Sequence, residues 1–274
     1  IYALVALGFS IIYNASGAIN FAQGEFVMIG GMSAVTLLAA GLPLALAAIL
    51  AIVVAVLVAL LVEKLAIEPA RDADTVTLII ITIGVSLFLR GLAQLVWDKG
   101  VHRLPAFSGE QPLQLLGATL LPQSLWVLGG AALAVAALSL FYGRTLLGKA
   151  MLATSYNRIA AQLVGIPTRG VLFASFGLAA GLGALGGVLI APIAFTAYDT
   201  GIMLGLKGFA AAMLGGMGSF AGAVLGGLLL GLLEGLGAGF ISSAYKDAIA
   251  FVVILLVLFL MPGGLLGARR SDRV

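Results

Sequence analysis

Asn14, Asn20, Gln23 and Glu25 crowd around Gly17 and Gly24 between two apolar runs, and Glu234 lies inside another. Amide and carboxylate groups held among apolar neighbours exchange hydrogen bonds and charge with a polar solute or with each other. They are costly in a bilayer unless buried against protein or a water-filled cavity. The two glycines beside the first cluster point to a broken helix or re-entrant turn, whose free backbone groups protein or cavity water must satisfy. That cluster either lines a solute path or forms an ordinary turn between helices. Glu234 either meets solute or a buried partner, or reaches the outer interface. Arg90 is long enough to snorkel to the outer boundary. Lys207 and Asp199 read as interfacial anchors at the entrance of a run.

Catalytic chemistry finds little support. Gly143 to Ala150 follows a phosphate-binding loop up to Lys149, but Ala150 replaces the hydroxyl residue that would hold magnesium. Gly181-Leu-Gly-Ala-Leu-Gly186 matches a dinucleotide fingerprint, yet it lies within an apolar run instead of between a strand and a helix. His102 has no companion ligands at metal spacing. There are no cysteines, so thiolate metal sites, disulfides and thiol nucleophiles are excluded. No nucleophile, base and orienting acid can be assembled from what remains, and no cofactor is expected.

The elements that position these groups follow from composition. Hydrophobic residues make up 62% of the chain and charged residues 9%, against roughly a quarter charged in a soluble domain. Apolar runs cover 1–13, 24–40, 42–62, 75–97, 123–142, 171–194, 202–217, 219–241 and 247–262. At roughly 20 residues per crossing they predict an all-α, polytopic transmembrane bundle of about eight spans, forming one transmembrane domain over 1–274. The first run is too short for a full crossing, so residues are expected upstream of Ile1. A signal peptide is the competing reading, but no cleavage-like site leads to a polar domain.

Basic residues near span ends are retained in the cytoplasm. Segment 143–170 carries Arg144, Lys149, Arg158 and Arg169 with no acid, and the tail carries Arg269, Arg270 and Arg273. Both are therefore predicted inside, and four intervening runs keep the parity consistent. Counting back, 63–74 falls inside, 41–43 outside, 14–23 towards the inside and the N-terminus outside. Segment 98–123, with Pro105, Pro112 and Pro122, reads as an ordered external loop. Good helix formers between Leu146 and Val164, stopped by Gly165 and Pro167, predict a short helix across the cytoplasmic face. Met28 to Ser33 resembles Met213 to Gly218, a hint of an inverted repeat. Gly227, Gly231, Gly235 and Gly239 recur every fourth residue, as do Gly218, Gly222 and Gly226, a pattern of close packing within the bundle or at a subunit interface.

Several stretches resemble a known family. They are Tyr2 to Gly8, Gly17-Ala-Ile-Asn-Phe-Ala-Gln-Gly-Glu-Phe26, Leu206 to Ser219, and Tyr245-Lys-Asp247 leading to Leu260-Met-Pro-Gly-Gly264. Together they are similar to LivH-type permeases of branched-chain amino-acid ABC transporters. The segment from Gly148 through Asn157-Arg158 to Ile166 looks like that family's coupling helix. Ala160-Ala161-x-x-x-Gly165 is similar to the E-A-A-x-x-x-G loop of importer permeases, with Ile159 where the Glu would stand. The resemblance implies a bacterial cytoplasmic membrane location and a transport role without an ATPase site. It also implies a second LivM-like permease, two cytoplasmic ATPase subunits and an extracytoplasmic solute-binding protein as partners, with branched-chain amino acids, urea or amides as solute and no nucleic acid. The competing classes are an ion-coupled transporter relaying through Glu25 or Glu234, and a scaffolding membrane protein.

Overall fold

The computed structural model describes residues 1–115, 118–240, 242–261 and 263–267. The basic tail with Arg269, Arg270 and Arg273 lies outside the described residues, as does Pro262. The helices are α1 (Tyr2–Ser16), α2 (Gln23–Ala39), α3 (Leu44–Val62), α4 (Thr75–Trp97), α5 (Pro122–Arg144), α6 (Leu146–Tyr156), α7 (Arg158–Leu163), α8 (Thr168–Ala194), α9 (Thr200–Gly215), α10 (Phe220–Phe240) and α11 (Lys246–Leu260). A π turn over Glu63–Ile67 and a 3-10 turn over Glu68–Ala70 extend α3.

Among the described residues, five helices are long and apolar enough to cross a bilayer: extended α3, α4, α5, α8 and α10. Helices α1, α2 and α9 are apolar but have only 15, 17 and 16 residues. At 1.5 Å per residue each spans about 22 to 26 Å, short of a hydrocarbon core of roughly 30 Å. These shorter helices are wrapped by protein. The longer α8 forms the axis of the bundle, its apolar window 67% buried against 6% for α5 at the periphery.

Lipid is as apolar as leucine, so burial alone does not bring these helices together. Close approach of backbones does. Gly24 lies against Gly201 and Gly205, Gly30 against Ala184, Gly187 against Val27, Gly226 against Ala211, and Gly227 against Ala3. At each of these positions a Cβ would collide with a neighbouring backbone. The two halves of the α10 glycine stripe therefore do different things. Gly222, Gly226 and Gly227 seat α9 and α1, whereas Gly235 and Gly239 face open space.

Contacts also define direction. Gly8 of α1 lies beside Ala179, and Leu4 beside Gly186, so α1 runs against α8. Gly183 meets Gln23 and Phe26, while Gly187 meets Val27 and Gly31, so α2 runs with α8. Lys64 and Glu68 line one cleft with Arg169 and Gly170, which puts segments 63–74 and 143–170 on one face. The 98–121 segment joins 195–199 on the other, where His102 and Thr196 exchange backbone hydrogen bonds of 2.8 and 2.9 Å. The alternation matches the charge parity of those loops.

Three details differ from the sequence expectations. A small antiparallel hairpin, β1 (Leu113–Leu115) with β2 (Ala118–Leu120), interrupts the all-α reading, because the loop is long enough to pair with itself. Residues 28–33 are helical, whereas 213–218 leave the helix after Gly215 through left-handed Gly216 and Gly218, so the two similar segments differ locally. The helix expected over 146–164 is two helices. Asn157 breaks it by turning its side chain onto the N–H of Ala160, which starts α7.

Candidate functional site

The turn between α1 and α2 climbs back into the bundle. Gly17 closes α1 in the left-handed region at φ 74°, its N–H bonded to the Tyr13 carbonyl. Asn20 Oδ1 then accepts the N–H of Ala22 at 3.1 Å, and α2 starts at Gln23. That start lies at the depth of Gly8, midway along α1, because the Gln23 amide donates to the carbonyl of Ala179 at 2.9 Å. A helix N-terminus, with its partial positive charge, thus lies inside the protein. Asn20, Gln23 and Glu25 are all buried there.

Helix α4 supplies the facing wall through Thr82, Ser86 and Arg90, spaced four apart on one face. Thr82 Oγ1 accepts the N–H of Phe21 at 3.1 Å, and Ser86 donates to Glu25 Oε1 at 2.7 Å. Arg90 Nε lies 3.3 Å from the same oxygen. Arg90 therefore turns inward to a buried carboxylate, where its length alone pointed to the outer boundary. Glu25 Oε2, Gln23 Oε1, Asn20 Nδ2 and Ser10 Oγ are buried without a hydrogen-bond partner among the described residues. A cavity of about 160 Å³ adjoins the pair, lined by Phe9, Phe21, Glu25, Ser86, Arg90 and Phe209 among others.

The remaining path candidates lie elsewhere. Asn14 donates to the Gly218 carbonyl at 2.8 Å and braces α1 against the α9–α10 turn. Glu234 belongs to a second cluster around Lys207. That lysine is 4% exposed, so it is a buried group and not an interfacial anchor. Its Nζ donates to Asp247 at 2.5 Å, Glu234 at 2.8 Å and the Tyr2 hydroxyl at 3.3 Å, while Tyr2 donates to Glu234 at 2.5 Å. One ammonium ties together α1, α9, α10 and α11.

On the face carrying 63–74, α6 packs inward through Gly148, Met151 and Thr154. α7 projects. Ala161 is its buried contact, Gly165 ends the segment at φ 86°, and Gln162 donates to Thr168 at 2.9 Å. Arg144, Lys149, Asn157, Arg158 and Ala160 are exposed, together with Tyr156, Ile159, Leu163 and Val164. The Ile that replaces the glutamate of the importer pattern thus adds to an apolar, basic-rimmed surface.

Sequence reasoning missed the pairing of Arg90 with Glu25 and the partners of Lys207. The first had a signal, the four-residue spacing of Thr82, Ser86 and Arg90. The second had none, because the partners of Lys207 come from three other helices.

A family profile described as the permease component of branched-chain amino acid transport systems matches residues 1–258. The chain is 33% identical over 293 residues to the high-affinity branched-chain amino acid transport system permease protein LivH of Salmonella typhimurium, covering all of this chain and 93% of that one. It is 34% identical over 290 residues to the permease protein BraD of Pseudomonas aeruginosa, covering all of this chain and 94% of that one. A probable LivH permease of Methanocaldococcus jannaschii is 28% identical, with 96% and 88% covered. With a buried polar break, a helical bundle of membrane length and a match along nearly all of its residues, the chain belongs to the branched-chain amino acid transport permease family.

Proposed function

We propose that this chain is the membrane-spanning permease subunit of a bacterial ABC importer for branched-chain amino acids. In this reading it crosses the cytoplasmic membrane about eight times as one domain, with its N-terminus outside and the α7 face and C-terminus in the cytoplasm. It pairs with a LivM-like permease, two ATPase subunits and an extracytoplasmic solute-binding protein.

The observation that carries the reading is α7, a separately capped helix whose exposed Ile159, Leu163 and Val164 stand beside exposed Arg144, Lys149 and Arg158. A soluble subunit that closes on ATP would grip this surface. α7 is joined to α8, and α8 packs along α1, α2 and α3, so a push on α7 reaches the buried start of α2 through packed helices. Directionality comes from ATP binding one arrangement of the transporter better than the other. Asn20, Gln23 and Glu25 line the solute path, whereas Asn14 and Glu234 hold helices around it.

The test is uptake in proteoliposomes containing both permeases, the ATPases and the binding protein. Leucine uptake is expected to require ATP. Arg158→Glu is expected to cut it about tenfold, the equivalent of roughly 1.4 kcal/mol of lost coupling, while ATP hydrolysis persists. Uptake by this chain alone, driven by an ion gradient and indifferent to ATP, would overturn the reading. If the transporter works but ignores leucine, the amide or urea alternative takes its place, and a thermal-shift screen of the binding protein names the solute.

A further inference from the structure

We infer that Glu25, Arg90 and the aromatic-walled cavity beside them form an occlusion site for a zwitterionic amino acid with a small branched aliphatic side chain. The free oxygen of Glu25 takes the α-ammonium, Arg90 takes the α-carboxylate, and the side chain rests among Phe9, Phe21 and Phe209. This deepens the permease reading and rests on it.

A buried ion pair serves as a structural strut only when its remaining donors and acceptors are satisfied, because each unpaired one keeps its desolvation cost. Here that condition fails. Glu25 is 2% exposed and spends Oε1 on both Ser86 and Arg90, while Oε2 is buried without a partner. Arg90 Nε is buried too and lies near Glu25 without hydrogen-bond geometry. Both groups border the cavity.

Gly201 and Glu25 both line the cavity, and a Cβ on Gly201, besides meeting the Gly24 backbone, would lie 2.9 Å from the unpartnered Oε2, so glycine there leaves that carboxylate room to shift toward a ligand. The opposite wall is apolar, with Phe209 ring centroids 5.7 Å from those of both Phe9 and Phe21. The cavity measures about 160 Å³, and a cavity of roughly 150 Å³ accepts a benzene-sized molecule, larger than an isobutyl or isopropyl side chain.

Charge selects the class of ligand. One carboxylate and one guanidinium sum to zero, and a zwitterion adds no net charge while giving each a new opposite partner. A lone cation would be repelled by Arg90, and a lone anion by Glu25. A neutral amide lacks full charges to offer either group. The mouth lies beside exposed Ile83 and Leu206, so a second permease against that side would close it.

The chain has no cysteine, which permits a direct test in the assembled transporter without the binding protein. Ile202→Cys puts one thiol in the cavity wall, with Leu206→Cys as a second version should the first assemble poorly. The probe is the small neutral reagent methyl methanethiosulfonate, and the competitors are leucine, leucinamide and 4-methylpentanoate. Leucine is expected to slow labelling about tenfold at saturation, and the two analogues to need at least about tenfold higher concentration, the loss of one charge-assisted contact. Arg90→Gln should erase the advantage of leucine over leucinamide. Glu25→Gln should erase its advantage over 4-methylpentanoate.

Equal protection by all three, or by none, overturns the site, as does a thiol that never reacts. Wild-type ATP-driven leucine uptake is measured in parallel. Intact uptake without leucine-specific protection removes the site and leaves the permease reading, whereas absent leucine uptake removes the branched-chain reading on which the site rests.

Discussion

Glu25 and Lys207 are buried to nearly the same degree, 2% and 4% exposed, yet their surroundings are opposite in kind. Lys207 engages three oxygens from three other helices, matching the three donors of an ammonium group. Glu25 keeps one oxygen free and shares the other with Ser86 and Arg90 beside a cavity. Burial alone therefore does not mark a ligand site. The Lys207 cluster also borders a cavity, of about 670 Å³, but its ammonium is spent on its own two carboxylates and the Tyr2 hydroxyl, and so it holds helices together. An unsaturated one retains unspent hydrogen bonding where a solute can claim it.

Breaking the saturated cluster should have the largest effect. Lys207→Met leaves Glu234 and Asp247 without their cation and is expected to cost about 3 to 5 kcal/mol, read as lost folded yield and thermal stability in detergent. Adding Glu234→Gln and Asp247→Asn should recover most of it. A stable, active Lys207→Met protein would dissolve the distinction between the two clusters.

The unsaturated cluster should respond in the opposite way. Glu25→Gln is expected to lower stability less than Lys207→Met, because the Arg90 side chain is 23% exposed and can re-solvate. Leucine uptake should nevertheless fall about tenfold or more. Arg90→Lys sharpens the comparison, since it keeps the charge without the planar fork, and uptake should lie between wild type and Arg90→Gln.

Smaller effects belong to residues that position the elements around these clusters. Asn157→Ala removes the cap of α7 and should cost about 1 kcal/mol of local helix stability, seen as faster amide exchange in 158–163. The ratio of ATP hydrolysed to leucine transported should rise, with leucine binding unchanged. At α4, hydrogen bonds from Thr77 hold the Asp74 carboxyl below its ordinary value. A lowered folded-state pKa contributes stability above the unfolded value, about 3.9, and loses it as pH falls through the folded value. Asp74→Asn should thus lower the melting temperature slightly at neutral pH and by progressively less at an acid pH below the unfolded value. Equal melting at both pH values would remove this carboxylate from the positioning of α4.

Much of the site was legible residue by residue. Glu25 stood out because a carboxylate within an apolar stretch is expensive, whereas the capping role of Asn157 did not, because the helix formers on both sides of it read as one continuous helix. The polar face Thr82, Ser86 and Arg90 was readable from helical spacing alone. Lys207 was not. Its position near the start of an apolar run fits an interfacial anchor, and nothing local announces Tyr2, Glu234 and Asp247. The re-entry of the α1–α2 turn was visible as glycines among polar residues, but its depth was not.

Composition, apolar run length and the placement of Lys and Arg determine that this chain is a multi-span helical membrane protein, because lipid demands satisfied backbones and apolar surfaces segment by segment. Which buried charges meet is decided between segments. Close glycine contacts bring α2 against α9, and one face of α4 meets the start of α2, leaving one cluster satisfied and the other with an oxygen free. Those distances depend on how helices remote in sequence pack, so tertiary structure alone separates the strut from the candidate binding site.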